Sequence, residues 1–325
     1  MKNHISLFIF AIALLSGPVS ANDLSMTAVK DTLASIPGEH NYIYVRTPLG
    51  EDEEKNYDEI TFYDGLGREL DFAQSYGADR AGAIMAHHHL IEYDSLGRKE
   101  KQWLSTNTSF SYMSPEDLKG GVLWDYHDAG KRSYLQTNYE SSPLNRYYRT
   151  IWSGDAWGDH PARMEYLTNI PADSLRCSFY FIDDNDSLIR RGDYRSGELQ
   201  VTKATDEDGK PTYTFVDKQG RTLLTRLGRG NQQADTYFVF DRFGRIRYVL
   251  PPMINDEISA GNLDLYAYQY LYDSFGRCIS KKLPGCAAIG YVYDKADRVI
   301  LSQNGNQHRK KNGRSHSMII REGLH

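Results

Sequence analysis

The sequence predicts an all-β fold: a curved antiparallel sheet of consecutive β-hairpins with few short helices. Three observations predict it. A six-residue unit of aromatic, Asp, two variable residues, Gly and Arg recurs along the chain, and each copy follows a short run of alternating apolar residues. The composition is rich in Tyr (24) and Gly (27), residues suited to pleated surfaces and tight turns respectively.

The first 21 residues stand apart from the fold. Lys2 precedes an apolar run from Ile5 to Leu15, and Val19-Ser20-Ala21 supplies small residues for cleavage, so residues 1–21 read as a secretory signal peptide. No Cys sits just after the cleavage position, which argues against a lipid anchor, and no later run is long enough to span a membrane. The expected location is secreted or cell-surface. Residues 22–55 form an entry segment with a short helix over Met26 to Ser35 and the acidic run Glu51 to Lys55.

Residues 56–301 carry the repeated hairpins. The regular copies are Tyr63-Asp64-Gly65-Leu66-Gly67-Arg68, Tyr93-Asp94-Ser95-Leu96-Gly97-Arg98, Phe240-Asp241-Arg242-Phe243-Gly244-Arg245 and Tyr272-Asp273-Ser274-Phe275-Gly276-Arg277. The Asp carboxylate can accept a backbone hydrogen bond two residues on and open a turn; the Gly can take the left-handed conformation that closes it. A type I turn with a bulge-like glycine is therefore expected at each copy. The Arg then faces two alternatives, its own Asp or a neighbouring ring.

Two copies depart from the pattern. Phe215-Val216-Asp217-Lys218-Gln219-Gly220-Arg221 reads as the unit with one residue inserted after the aromatic, and Tyr293-Asp294-Lys295-Ala296-Asp297-Arg298 replaces Gly with Asp, which tolerates the left-handed region better than most residues. Asp206-Glu207-Asp208-Gly209 repeats the turn without the Arg. Between the second and third regular copies, strands are expected around Ser133 to Glu140, Arg163 to Leu167 and Arg176 to Ile182, the last turned by Asp183 to Asp186. Ser114-Pro115 through Gly120-Gly121 predicts a short helix, with Ser as N-cap and Pro in the first turn. Residues 302–325 are polar and basic, and read as a disordered tail.

Candidate chemistry is sparse. His87 and His89 would share a strand face, and with His160 they outline a metal-dependent hydrolase as the weakest of three functional readings. No spaced Cys/His partner or HExxH accompanies them, so no metal, cofactor or catalytic residue is predicted. Asp155, Asp159 and His160 are ordinary loop constituents as well as a conceivable hydrolytic set. Cys278 and Cys286 stand either as a disulfide across a hairpin or as two small packed residues, and Cys177 is left over. A net charge of −5 spread over mixed signs leaves no nucleic-acid footprint. Alternating tyrosines suit sheet packing and, as an alternative, the stacking of sugar rings.

These units resemble the YD repeats of the Rhs family of bacterial secreted proteins. The stretch Tyr139-Glu140-Ser141-Ser142-Pro143-Leu144-Asn145-Arg146, with Gly154-Asp155-Ala156-Trp157 and His160, resembles the N-terminal region of Rhs-associated cell-surface proteins, as does Asn41-Tyr42-Ile43-Tyr44-Val45-Arg46-Thr47-Pro48. The resemblance covers roughly residues 41 to 307. It implies a shell of spiralling hairpins that encloses or presents a C-terminal toxin or effector. No effector sequence and no self-cleaving core motif follow Leu301, so the chain looks like the N-terminal part of such a protein, truncated or separately encoded. The expected role is a non-enzymatic structural β-shell segment whose open edge, near Tyr291 to Leu301, meets a downstream shell or effector chain or a second copy. The alternative is a surface adhesin or glycan-binding module.

Overall fold

The computed structural model describes residues 36, 38, 40–48, 56–78, 84–127, 132–228, 233–254 and 256–309. The expected signal peptide, the Met26–Ser35 helix, the Glu51–Lys55 run and residues 310–325 lie outside them. The described chain is predominantly β-structure, every strand pairing is antiparallel, and the three α-helices are short. It divides into two compact units, at residues 162 and 163, where the sequence suggested one continuous hairpin segment.

The first unit opens with a meander. Strand β1 (Asn41–Pro48) pairs along its whole length with β2 (Asn56–Tyr63), β2 with β3 (Glu69–Ala78), and β3 with β4 (Ile84–Tyr93). The sheet therefore begins inside what the sequence marked as an entry segment. The charged stretch after Pro48 hid its continuity with β2. Strand β4 then forks: Met85 to His88 pair with β6 (Thr106–Ser109), while Ile91 to Tyr93 pair with β5 (Lys99–Trp103), which continues into β7 (Tyr134–Tyr139) and β8 (Tyr147–Ile151). Alternation puts Ile60, Phe62, Ala73 and Ala86 on one face, and with Phe110 they form a fully enclosed core.

Helix α1 (Pro115–Asp125) forms because Ser114, in extended conformation, accepts the Asp117 N–H at 3.1 Å, with Pro in the first turn. It buries Leu118 and Val122. Gly121 allows the helix to approach β6: a Cβ there would fall 2.6 Å from Thr106 Oγ1.

In the second unit β9 (Ala162–Thr168) pairs with β12 (Gln200–Thr205). From β12 a simple meander runs through β13 (Pro211–Val216), β14 (Thr222–Leu227), β15 (Ala234–Phe240), β16 (Ile246–Leu250), β17 (Tyr268–Tyr272), β18 (Cys278–Lys282), β19 (Ile289–Tyr293) and β20 (Val299–Gln303). Helix α2 (Ala260–Tyr266) lies between β16 and β17, and one-turn helix α3 (Gly305–Arg309) follows β20. Ordered structure thus continues eight residues beyond Leu301, into the region read as tail.

A separate hairpin, β10 (Ser178–Ile182) and β11 (Leu188–Asp193), covers part of this sheet. Its Tyr180, with Cys177, packs on Val201, Phe215, Leu224, Tyr237 and Val239, and the Tyr180 hydroxyl donates to the Asp256 carboxylate. The segment before the hairpin is tied down by Arg226, only 2% exposed. Its guanidinium pairs with Asp235 and donates to the carbonyls of Ser174 and Arg176 at 3.0 and 2.8 Å.

That cover ends partway along the sheet. Register carries the core face from Val239 through Tyr248 to Gln269 and on to Leu271, and the paired Val292 and Leu301 continue it. Leu271, Val292 and Leu301 remain 43, 50 and 37% exposed.

Candidate functional site: the clamp between successive hairpins

All six Asp–Arg turns of the six-residue unit have one geometry. At the first, Asp64 N–H donates to Arg68 O at 2.8 Å and Gly67 N–H to Asp64 O at 3.0 Å, while Gly67 sits at φ +76°, a conformation only Gly adopts readily. Asp64 Oδ1 accepts the N–H groups of Leu66 and Arg68, both at 2.9 Å, and Oδ2 accepts Arg68 Nε at 2.7 Å. The same bonds recur at Asp94, Asp217, Asp241, Asp273 and Asp294. In the last copy Asp297 supplies the left-handed residue at φ +59°.

Electrostatics follow from that geometry. Burial pushes the carboxyls of Asp64, Asp94, Asp217, Asp241 and Asp273 up, but the backbone N–H and guanidinium of the paired arginine outweigh it and hold all five below the usual carboxylate range. For Asp294 the Arg298 backbone N–H is the leading cause of the same lowering. These carboxylates are ionised and committed to turn donors, which makes them poor general bases.

The arginine takes both of its alternatives at once. While its edge holds the Asp, its face lies over the aromatic residue of the next unit: Arg68 over Tyr93 at 4.4 Å, Arg98 over Tyr139 at 4.7 Å, Arg221 over Phe240 at 5.1 Å, Arg245 over Tyr272 at 4.8 Å and Arg277 over Tyr293 at 5.1 Å. Where the ring is Tyr, its hydroxyl returns a bond to the carbonyl just after that arginine. Tyr93 reaches Glu69 O, Tyr139 Lys99 O, Tyr272 Ile246 O and Tyr293 Cys278 O, at 2.6, 3.2, 2.9 and 2.8 Å. Arg98, Arg245 and Arg277 also donate through Nη1 to the carbonyl of the next unit's acid, Glu140, Asp273 and Asp294. At these five junctions the arginine, anchored by an ion pair to the Asp of its own turn, clamps one hairpin to the next through a ring contact and up to two hydrogen bonds.

Register corrects one unit and reveals another. At every turn the ladder shifts just before the Asp, at Tyr63, Tyr93, Phe240, Tyr272 and Tyr293. Val216 occupies that position in the Asp217 turn, so nothing is inserted there; the aromatic is replaced by Val. The additional unit is Tyr139 to Arg146, which has the same shift. Glu140 N–H donates to Arg146 O at 3.0 Å, Arg146 Nε returns to Glu140 Oε1 at 2.6 Å, and Asn145 takes the left-handed position at φ +54°. Sequence reasoning missed it as a turn because a Glu and two extra residues disguise the spacing; Leu-Asn-Arg, matching Leu-Gly-Arg, was the available signal.

The other candidate residues do not converge. His88, not His87 or His89, faces inward and is fully buried, with Nδ1 2.6 Å from Asp71 Oδ2 and Nε2 3.0 Å from Ser109 O. A carbonyl only accepts, so Nε2 donates to Ser109 O while Nδ1 faces the Asp71 carboxyl. His89 lies tilted beside Phe72, ring centroids 6.3 Å apart. Burial lowers its pKa. His160 sits beyond a 3-10 turn, its N–H on Trp157 O, and Asp155 Oδ1 accepts Arg132 N–H at 3.1 Å. Among the described residues no three His, Cys, Asp or Glu side chains gather as a metal site.

Asp183 to Asp186 forms the β10–β11 turn, with Asp183 Oδ1 on Ser187 N–H at 2.7 Å. All three cysteines are free thiols. Cys278 begins β18 whereas Cys286 lies in the turn after its far end, so the strand separates the two and they do not bridge. Burial pushes the Cys177 thiol up to about 12.

Residues 41–168 match the model of a family described as a domain of unknown function, DUF6443. The crystal structure of TcdB2-TccC3 aligns with a TM-score of 0.52 at 14% identity, over 82% of this chain and 12% of that one. TcdB2-TccC3 without its hypervariable C-terminal region aligns with a TM-score of 0.52 at 13% identity, over 87% of this chain and 13% of that one. The chain therefore spans a small fraction of the structures it matches, and at these identities the likeness is one of fold. No curated protein matches the chain.

Proposed function

We propose that this chain is a non-enzymatic wall segment of an exported Rhs-like shell, whose work is to enclose or present something else. The observation that carries the reading is the clamp: the recurring Asp, Arg and aromatic residues spend their charge and hydrogen-bonding capacity on one another, hairpin after hairpin. A repeated side-chain set with one structural use per copy builds an extended surface from nearest-neighbour contacts, as solenoid repeats do. The shared fold with a much longer chain supports a segment rather than a complete enclosure. The partner would be a downstream shell or effector chain, met through β20, whose described strand partner is β19 alone.

Two measurements test this reading. N-terminal sequencing of the exported protein should begin at Asn22. Size-exclusion chromatography should show association that grows with concentration; a monomer up to high concentration would count against an open edge.

A second reading, a glycan-binding surface module, is favoured by the exposed aromatics Tyr147, Tyr148, Trp152 and Trp157, at 39, 49, 48 and 45%. A glycan array with Ala at Tyr148 and Trp152 separates it from a passive wall.

A further inference from the structure

Five of the six Asp–Arg turns pass their guanidinium to a ring of the next unit, and the sixth does not. Arg298 keeps its own Asp, with Nε 2.8 Å from Asp294 Oδ2, yet its side chain is 61% exposed, against 31, 13, 33, 26 and 22% for Arg68, Arg98, Arg221, Arg245 and Arg277. Among the described residues no ring lies over it. The carbonyl that a clamping tyrosine would reach is Val299 O, the counterpart of Glu69, Lys99, Ile246 and Cys278 O. It opens β20, the last described strand of the meander. Helix α3 sits at the other end of β20, where Gly305 lies against Ala287 of the β18–β19 turn.

We propose that Arg298, the Val299 carbonyl and the outer edge of β20 form a socket for a strand of another chain that runs antiparallel to β20 and ends in Tyr-Asp. This rests on the wall-segment reading and deepens it by naming the partner's chemistry. The incoming tyrosine covers the Arg298 face and donates its hydroxyl to Val299 O, and the carbonyl of the following acid accepts from Arg298 Nη1. A second copy can pair with the bare backbone edge of β20, which is the association size-exclusion reads, but it does not offer a Tyr-Asp end to fill the socket. The strands with one described partner, β1, β6, β8, β9, β10, β11 and β20, finish in Pro48, Ser109, Ile151, Thr168, Ile182, Asp193 and Gln303, none of them an aromatic followed by an acid. The fitting partner is a further hairpin unit of a different chain. The edge supplies backbone hydrogen bonds, and the socket sets which strand is accepted and in which register.

The test uses the full chain and a fluorescein-labelled peptide of residues 267–281 carrying Cys278→Ser, which contains one Tyr-Asp strand end, read by fluorescence anisotropy. Saturable binding is expected, weakened about fivefold or more by Arg298→Ala. Tyr272→Ala in the peptide should cost a similar factor, and the two changes together no more than either alone. Unchanged thermal unfolding of the Arg298→Ala chain verifies that its fold is intact. If Tyr272→Ala peptide binds as tightly as the parent and Arg298→Ala has no effect, the socket is overturned while the open edge stands. If neither peptide binds at millimolar concentration, the socket and the open edge both fail.

Discussion

Removing the carboxylate of Asp94 is the sharpest test of what the repeated aspartate does. Its Oδ1 accepts the N–H groups of Leu96 and Arg98, both at 2.9 Å, and its Oδ2 accepts Arg98 Nε at 2.7 Å. Asp94→Ala loses two backbone acceptances at about 1 kcal/mol each and, because the ion pair is partly solvated, about 1 kcal/mol more for Arg98. The total is about 3 kcal/mol. Asp94→Asn keeps an oxygen for the two N–H groups and loses only the arginine, so it should cost about 1 kcal/mol. The four tryptophans, Trp103, Trp124, Trp152 and Trp157, all precede residue 163, so tryptophan fluorescence during urea unfolding reports the first unit alone. With a slope of about 2 kcal/mol per molar urea, the midpoints should fall by about 1.5 M for Ala and about 0.5 M for Asn. Equal shifts for the two variants, or an Ala shift near zero, would refute the claim that this carboxylate holds the turn.

Further outcomes follow from the same geometry. Gly97→Ala should destabilise more than Gly67→Ala: both are left-handed, at φ +80° and +76°, but a Cβ at Gly97 meets Arg68 Nη1 at 3.1 Å and one at Gly67 meets nothing within 4 Å. Thermal unfolding of the two variants gives the comparison. Because the turn aspartates have lowered pKa values when folded, their stabilisation is complete above the unfolded carboxyl value near pH 4 and is lost as pH falls through the folded values. The melting temperature should therefore stay level from about pH 7 to 5 and drop below about pH 4, less steeply in Asp217→Asn/Asp241→Asn. His88→Ala should cost about 3 kcal/mol or more by leaving buried Asp71 without its partner, measurable by urea unfolding. In thiol titration with an aromatic disulfide, exposed Cys286 should react first and Cys177, buried and shifted up to about 12, only after unfolding.

Local chemistry was legible in the sequence, and long-range pairing was not. Asp and Gly at fixed spacing specify a turn within six residues, and the alternating runs specify the strands beside it, so the all-β hairpin sheet follows from neighbours in the chain. The division at residue 163 leaves no such trace, because strand-like alternation runs through it in Arg163 to Leu167. Burial of His88 was equally hidden: in a run of three histidines, periodicity places His87 and His89 together on one face but does not say which face is the core. Only pairing with Ala73 of β3 on one side and Thr106 of β6 on the other settles it. Glu140 to Arg146 shows the opposite failure, a turn that kept its bonds while losing its spacing.

The aromatic residue of the unit is where local reading fell short most usefully. Next to its own Asp it looks like the last residue of an alternating strand. Its described partner in the clamp, however, is the arginine of the previous turn, 25 residues earlier for Tyr93 and 41 for Tyr139. Asp and ring looked like rivals for one guanidinium, but a planar cation has an edge for hydrogen bonds and a face for a ring, and both can be filled together. Val216 supports that division of labour. It is the one non-aromatic residue at this position, and no Asp–Arg turn of the second unit precedes it to present an arginine. Five of the six rings at this position receive an arginine from the previous turn, Tyr63 of the first turn being the exception, so the ring acts chiefly at the junction between two hairpins. Substituting Tyr272 by Phe should then keep the Arg245 contact and lose only the bond to Ile246 O, whereas Tyr272→Val should release Arg245 and loosen β17 from β16. Amide exchange at Tyr248 and Val249, the two β16 residues in register with β17, reads this directly: little change for Phe and clear acceleration for Val. Equal exchange in the two variants would mean that the ring serves its own strand after all.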